Sequence, residues 1–304
     1  MTVTTTLRAD PIRQAAAAGV AGALCITFSA ILVKLADVSP SAAAVYRCGY
    51  ALPWLAVLAA WEHRRFGPRG AGERRFAIAA GVLLAIDLIC WHQAIKDVGA
   101  GLGTVLGNVQ VVIIPFVAWA MLGERPGARI LAVLPLVFAG IVLISGVLED
   151  GAYGDDPPRG ILFGAATGVA YSAFILLLRR GNADTRRPAG PLLDATITSA
   201  LTALVIAVAI GQTDLAPSWP AHAWLATLGL TSQVLGWMLI SVSLPRLPAA
   251  LTSLILTVQP VGSVVFGVIL LSEEPSILQV AGVAFIVTGL VAIARRRPQE
   301  GEQG

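Results

Sequence analysis

Charged side chains are scarce in this sequence, and their scarcity excludes an ordinary soluble protein. Asp, Glu, Lys and Arg together make up 13% of the 304 residues, whereas soluble domains contain about 25%. Hydrophobic residues account for 56%, and the mean hydropathy is +0.78. The composition therefore predicts an integral membrane protein.

Cysteine and histidine are also rare, with three of each. The cysteines fall inside apolar runs, and neither residue type shows the spacing of a disulfide framework or a metal site. No glycine-rich loop precedes Lys-Ser or Lys-Thr, as a phosphate-binding loop requires. No filter loop or ring of charges indicates a channel. We therefore expect neither an enzyme nor an ATP-driven pump, and no metal or cofactor.

The small net charge of +3 is distributed as membrane topology requires. With the N-terminus inside, 17 of the 21 basic residues lie on the cytoplasmic side, and the acidic segment 149–156 lies outside. This asymmetry follows the positive-inside rule and gives no indication of a nucleic-acid partner. We predict cytoplasmic N- and C-termini. Abundant alanine and a preference for Arg over Lys are typical of a high-GC bacterium, so the expected location is the bacterial plasma (inner) membrane.

Ten apolar runs have the length of roughly 20 residues that spans a bilayer core as a helix. The alternation with period 2 that a membrane barrel shows is absent. The predicted fold is therefore all-helical, with ten transmembrane helices. Their approximate spans are 15–36, 40–62, 76–97, 100–122, 129–148, 160–179, 189–211, 221–243, 247–271 and 277–294.

The sequence contains its fold twice. Glu124 and Pro126 in Gly-Glu-Arg-Pro recur as Glu273 and Pro275 in Ser-Glu-Glu-Pro, at an offset of 149 residues that holds without a gap in the flanking segments. Each half has five spans, an odd number, so the second half is inserted upside down relative to the first. Inverted repeats are typical of secondary transporters. We predict one five-helix repeat at 15–148 and an inverted one at 160–294.

The repeated turns themselves are expected to be structural. Pro126 and Pro275 suit the first position of the helix that follows each turn. Glu124 and Glu273 then lie near the positive N-terminal end of that same helix.

Several motifs resemble the EamA family of the drug/metabolite transporter superfamily. They are the two Glu-x-Pro turns, the Val-Gln pairs at 109–110 and 258–259, Phe28-Ser29 with Lys34, Ser39-Pro40, and Arg47. Phe28 stands where the family usually has Trp. The resemblance covers nearly the whole chain and implies a basket-shaped ten-helix carrier of the inner membrane. It implies that helices 1, 3, 4, 6, 8 and 9 line the cavity, that helices 5 and 10 are peripheral, and that amino acids or other small metabolites are exported.

Asp87 is the deepest acidic residue of the predicted spans, about 17 Å along the third helix from its cytoplasmic end. An ionised carboxylate at that depth is costly unless it faces a cavity, has a partner or is protonated. Arg47 lies at a similar height in the second helix. Three alternatives stay open for Asp87: a substrate-binding or proton-binding carboxylate, half of a structural ion pair with Arg47, or part of a solvated wall. Held apart across a wet cavity, the two charges suit a zwitterion.

Aromatic residues accompany Asp87 in the third helix. Trp91 follows it by four residues and shares its face, where an indole suits an organic cation or an aromatic ring. His92 points about 140° away from Asp87 and is a candidate proton site facing another helix. Packing is the alternative for Trp91.

Amide and hydroxyl residues repeat at the same offset in the fourth and ninth helices. Asn108 matches Thr257, and Gln110 matches Gln259 on a different side, so both sets are not expected to point fully into one narrow cavity. Hydrogen bonding between helices is the alternative for each. The candidate substrate-binding residues are Arg47, Asp87, Trp91, His92, Asn108, Gln110, Tyr171, Gln233, Trp237, Thr257 and Gln259.

The favoured function is secondary active transport of a small metabolite by alternating access, with export of amino acids or related amphiphilic compounds. Protons are a candidate coupling ion, and exchange is the alternative. A nucleotide-sugar, nucleoside or drug carrier of the same fold and a non-transport membrane scaffold stay open. The expected partners are a small-molecule substrate and the lipid bilayer, and the oligomeric state is open.

Overall fold

A computed structural model describes residues 11–110, 113, 116, 128–144, 148–149, 152–212, 216, 219–243, 246, 256 and 258–294. Within these ranges every regular element is helical. Six helical stretches are long and apolar enough to cross a membrane, and three further apolar helices are shorter. The all-helical prediction is therefore confirmed for the described part of the chain.

Most of the described helices begin and end close to a predicted span. The helix Ala71–Gly107 is the exception, since it continues through the third predicted span into the fourth, and the end of the fourth span and the start of the ninth lie outside the described residues. Their bounds are α1 Pro11–Ala36, α2 Pro40–Phe66, α3 Ala71–Gly107, α4 Ala128–Ile144, α5 Pro157–Gly181, α6 Ala189–Ala209, α7 Ala221–Leu228, a π-helical segment Gly229–Gly236, α8 Trp237–Ser243, α9 Val258–Leu271 and α10 Ile277–Ala294.

Helix α3 is broken at Gly99. Its 37 residues would extend about 55 Å as one straight helix, far more than the roughly 30 Å of a bilayer core. Gly99 has φ 87° and ψ 168°, a conformation that glycine adopts without a steric penalty. The chain therefore reverses here, between the third and fourth predicted spans, and a second helical segment begins at Ala100.

The loop between α9 and α10 caps this second segment through Glu273. Its buried carboxylate accepts hydrogen bonds from the backbone N–H groups of Ala100, at 2.5 Å, and Gly101, at 3.0 Å. A Cβ atom at Gly267 would overlap Glu273 Oε2, so only a glycine leaves room for the carboxylate there. These contacts bind the α9–α10 loop to the break in α3.

The expectation that Glu273 stabilises the helix immediately after it is wrong. The N–H groups freed by the break at Gly99 lie nearer and have no carbonyl partner of their own. Helix α10 begins instead with a reciprocal cap, in which Ser276 Oγ accepts from the N–H of Gln279, and Gln279 Oε1 accepts from the N–H of Ser276. Its counterpart Glu124 lies outside the described residues.

The opposite end of the bundle uses the same device. Glu62, near the end of α2, accepts hydrogen bonds from the N–H groups of Ala189 and Gly190, both at 2.9 Å, and so caps α6. Beside it, Arg69 forms an ion pair with Asp194 at 2.5 Å. We call these two regions the Glu62 end and the Glu273 end; the first segment of α3 separates them by roughly 40 Å.

Small residues allow close packing between the helices. Cβ atoms at Gly160 and Gly164 of α5 would come within 2.5 Å of side-chain atoms of α3. Gly140 of α4 and Gly282 of α10 approach each other so closely that a Cβ on either would meet the other's carbonyl oxygen. Glycine at such positions brings helix backbones together and is typical of membrane bundles. The remaining large apolar side chains cover much of the outer surface.

Candidate functional site

Polar residues from the middle of the helices meet in one cavity. The volume within it that the centre of a water molecule can occupy is about 60 Å³. One water molecule needs about 10–15 Å³ by this measure, so the cavity has room for several water molecules. Residues that line it come from α1, α2, α3, α5, α8 and α9, and α2 contributes Arg47. The described residues of α4 and α10 do not contribute to the lining. The lining residues are Ile26, Ser29, Arg47, Leu84, Asp87, Leu88, Trp91, Thr104, Gly107, Asn108, Gln110, Thr167, Tyr171, Trp237 and Gln259.

Asp87 faces this cavity from the first segment of α3. It is 5% exposed, and Thr167 donates a hydrogen bond to its backbone carbonyl at 3.4 Å. Within the part of the chain that the structure describes, its carboxylate accepts no hydrogen bond and forms no ion pair. Buried carboxylates generally have partners, so Asp87 differs from the buried carboxylates of Glu62, Asp97 and Glu273, which accept hydrogen bonds from protein donors.

Arg47 faces the same cavity but is held by protein groups. Its Nε donates to Gln233 Oε1 at 3.1 Å, and Gln233 Nε2 donates to Thr196 Oγ1 at 3.1 Å. Its guanidinium carbon lies 5.8 Å from the centre of the Trp91 ring. Arg47 is 2% exposed, and the hydrogen bond to Gln233 fixes the Nε edge of its guanidinium. Arg47 and Asp87 form no ion pair with each other.

The π-helical segment supplies the residue that holds Arg47. Gln233 lies in Gly229–Gly236, between the α-helical turns of α7 and α8. A Cβ at Gly229 would approach the Arg47 carbonyl oxygen to 2.9 Å, so the segment packs directly against α2. Widened turns of this kind are rare and are frequent at functional sites.

Aromatic rings form one wall of the cavity. Tyr171 and Trp237 meet edge to face with ring centres 5.8 Å apart, and Phe174 supports Trp237 from behind at 5.0 Å. Edge-to-face pairs at such distances are stabilising beyond their area of burial. The cavity therefore combines two opposite charges with an apolar, aromatic surface.

The prediction that the two amide sets point to different sides is wrong, because Asn108 and Gln110 line the same cavity, and Gln259 joins them. The helical count fails because the helix is interrupted by a turn at Asn108 and Val109. Asn108 Nδ2 donates to the Thr104 carbonyl at 2.9 Å. The buried Gln110 Oε1 accepts no hydrogen bond from a described residue.

Two of the described candidate residues, His92 and Gln233, do not line the cavity. His92 is buried beside it, with Nδ1 3.1 Å from the Pro40 carbonyl oxygen, because it is turned away from Asp87 on its helix. Gln233 lies behind Arg47 rather than beside the open space. Thr257 lies outside the described residues.

The two halves of the chain each match one protein family. Residues 14–146 and residues 158–295 match the EamA-like transporter family. The chain belongs to this family. It is therefore a multi-pass membrane transporter of the drug/metabolite type, as the motifs indicated, and the family is one of transporters rather than enzymes.

A solved structure supports the fold of this EamA-like transporter. A chain described only as "Crystal structure of protein" is similar at 20% identity, with a TM-score of 0.61, over 92% of this chain and 96% of that one. Identity at that level shows the fold alone. No match was found among curated proteins.

Sequence reasoning missed several residues of the EamA-like transporter that position the site. Thr167 contacts the Asp87 backbone, and Thr196 holds Gln233, but single threonines in apolar helices carry no distinctive sequence signal. Asp97 was also missed: it is fully buried and accepts two hydrogen bonds from Arg159, at 3.0 and 2.5 Å. The sequence signal for this ion pair is an acidic residue, Asp97, at the end of one predicted span and a basic residue, Arg159, at the start of another.

Proposed function

We propose that this protein is a secondary active carrier that exports amino acids or related amphiphilic metabolites by alternating access. The observation that carries the proposal is the pair of opposite charges in one cavity. Asp87 and Arg47 both line it without forming an ion pair with each other. A zwitterion satisfies both at once, with its ammonium at Asp87 and its carboxylate at Arg47.

The fixed geometry of Arg47 supports this assignment. With Nε occupied by Gln233, the opposite edge of the guanidinium has no hydrogen bond to a described residue, and that planar edge matches a carboxylate. Trp91, Tyr171 and Trp237 provide the apolar surface for the remainder of the substrate. Asn108, Gln110 and Gln259 add donors and acceptors that orient it.

Inverted repeats supply the mechanism. We infer ten transmembrane helices in two five-helix repeats, 15–148 and 160–294, with both termini in the cytoplasm of a bacterium and the helices in its inner membrane. Exchanging the conformations of the two repeats turns a cavity open to one side into a cavity open to the other. The glycines of α5 that pack closely against α3 are the surface along which we expect one helix to shift against the other during this exchange.

Asp87 is also the proposed proton-coupling group. A carboxylate that has no protein partner is stabilised by a bound ammonium or by a proton, so that each replaces the other during the cycle. Exchange of one metabolite for another would leave transport independent of a pH gradient.

A transport assay in proteoliposomes tests the proposal. The purified protein is reconstituted, and a panel of amino acids, nucleosides, nucleotide sugars and cationic drugs is offered with and without a pH gradient. We expect movement of an amino acid or similar zwitterion that is accelerated by the gradient. Movement of only nucleosides, nucleotide sugars or drugs would assign a different substrate class to the same fold, and no movement of any compound would favour a scaffold.

A further inference from the structure

An aromatic and basic patch lies on the outer surface at the Glu62 end. The Arg65 guanidinium carbon lies 5.3 Å from the ring centre of Trp61 and 5.7 Å from that of Phe66. The guanidinium carbon of Arg186, from the loop between α5 and α6, lies 5.3 Å from the ring centre of Phe66. We call these four residues the Trp61–Arg65 patch.

The patch carries uncompensated positive charge. Arg186 is paired with Asp184 at 2.9 Å, but Arg65 forms no ion pair with any carboxylate in the described ranges. The same holds for the neighbouring, exposed Arg64. The acidic residue closest in sequence, Glu62, is turned inward, where it caps α6.

An exposed apolar strip runs along α2 from the patch toward the middle of the helix. Trp54, Val57, Leu58 and Trp61 are 56%, 69%, 38% and 55% exposed. Their spacing of three and four residues places them on one helical face, about 10 Å long. The strip ends one turn before Arg65.

We propose that the Trp61–Arg65 patch binds the headgroup of an anionic phospholipid whose acyl chain lies along the α2 strip. Stacking on the rings occupies the flat face of the Arg65 guanidinium and leaves its N–H edge free for a phosphate. Trp61 beside it lies near the end of a helix long and apolar enough to cross a membrane, and indole rings favour the membrane interface at such helix ends. Under the proposed topology this end is cytoplasmic, where anionic lipids attract clusters of arginine.

Lipid-dependent thermal unfolding of the purified protein tests this. Phosphatidylglycerol and phosphatidylcholine with identical acyl chains are added to the protein in a neutral detergent. We expect phosphatidylglycerol to raise the Tm of the wild type by roughly 5 °C more than phosphatidylcholine. Arg65→Gln should remove at least half of that difference. Equal shifts with the two lipids in the wild type would overturn the proposal.

A matched control separates a site from general surface charge. Arg75 is also exposed and unpaired among the described residues but touches no aromatic ring. Arg75→Gln removes the same charge and should leave the lipid difference intact. If Arg75→Gln and Arg65→Gln reduce it equally, the patch is not a site. Glycerol phosphate, which lacks acyl chains, should not reproduce the shift, and a full shift with it would contradict the role of the strip.

A second copy of the chain is the competing occupant of the α2 strip. A Trp54→Cys variant in a background without the three native cysteines tests this in native membranes. We expect little disulfide-linked dimer, because lipid covers the strip. Efficient crosslinking that phosphatidylglycerol does not reduce would show that another copy covers it and would overturn the proposal.

Discussion

Asp87 and Glu273 are two buried carboxylates with opposite surroundings. They are 5% and 4% exposed, yet Glu273 accepts two backbone hydrogen bonds at the end of the bundle, whereas Asp87 accepts none from a described residue in the middle. Glu62 and Asp97 resemble Glu273, since both are satisfied by protein donors.

The presence or absence of protein hydrogen-bond partners distinguishes a structural carboxylate from a candidate binding carboxylate. A carboxylate with all its partners supplied by the protein fixes loops and helix ends and has no capacity left for a ligand. A buried carboxylate without protein partners is unfavourable unless something else enters to bind it. The contrast therefore predicts that the carboxylates at the ends control stability and that Asp87 controls transport.

Replacing Asp87 should give the largest effect. Asp87→Asn keeps the shape of the side chain but removes the charge that meets an ammonium. We expect transport to fall on the order of 1,000-fold, the loss typical of removing one member of a buried charge pair. Uptake into proteoliposomes measures this. The Tm should stay unchanged or rise, and a variant with normal transport and normal pH dependence would contradict the assignment.

Replacing Glu273 should affect stability instead. Glu273→Ala leaves the N–H groups of Ala100 and Gly101 unpaired, and each hydrogen bond to a carboxylate contributes about 1.5–3 kcal/mol. We expect a Tm lower by roughly 5–10 °C, measured by thermal unfolding in detergent. Glu274→Ala, at the exposed neighbouring position, is the control and should change little. Equal losses in the two variants would remove the distinction.

Filling the glycine position beside Glu273 should give a smaller loss. The Cβ of Gly267→Ala would displace Glu273 Oε2, and overpacking of this kind costs about 1–3 kcal/mol. At Gly49 of α2, a Cβ would have no atom within 4 Å apart from the nearby backbone of its own helix, so Gly49→Ala should be neutral or stabilising by about 0.5–1 kcal/mol. Thermal unfolding of the two variants compares them. A Gly267→Ala protein as stable as the wild type would show that the carboxylate can move.

Loosening Arg47 should weaken substrate affinity, and leaving its buried Nε unpaired should also lower the Tm. Gln233→Leu removes the acceptor that holds Arg47 Nε. We expect KM for a zwitterionic substrate to rise about tenfold, equivalent to one hydrogen bond of about 1.4 kcal/mol. Thr227→Val, an exposed change in the preceding helix α7, should leave KM unchanged. A fall in the maximal rate without a change in KM would assign Gln233 to conformational exchange instead.

The smallest effect is expected at the surface carboxylate Asp184. Hydrogen bonds from Arg186, and the charges of Arg186 and Arg187, lower the pKa of Asp184 below its ordinary value of 3.8. A lowered pKa in the folded protein stabilises it at neutral pH, and this contribution is lost as the pH falls below about 4. The Tm difference between wild type and Asp184→Asn should therefore be small at pH 7 and shrink in acid. A difference that grows in acid would contradict this sign.

Much of the fold could be predicted from sequence patterns that do not depend on how the helices pack against one another. The apolar runs matched the described helices because crossing a bilayer requires a minimum length of uninterrupted apolar helix. Asp87, Trp91 and Arg47 were identified as candidates because charged and aromatic residues at that depth are exceptional. The direction of the Gln110 side chain was predicted incorrectly. Counting 3.6 residues per turn predicts which residues share a face only in a regular helix, and the turn at Asn108 interrupts this one.

The sequence by itself determined that this protein is a helical membrane transporter with a duplicated EamA-like half, because hydropathy, charge asymmetry and a fixed repeat are properties of order along the chain. Only the tertiary structure decided which buried polar groups satisfy one another. Glu273 finds its partners at Ala100 and Gly101 across 173 and 172 residues, Arg47 finds Gln233 across 186, and Asp87 finds none among the described residues. Such pairings depend on distances between side chains in the folded protein, which cannot be read from the spacing of residues along the sequence or from its composition.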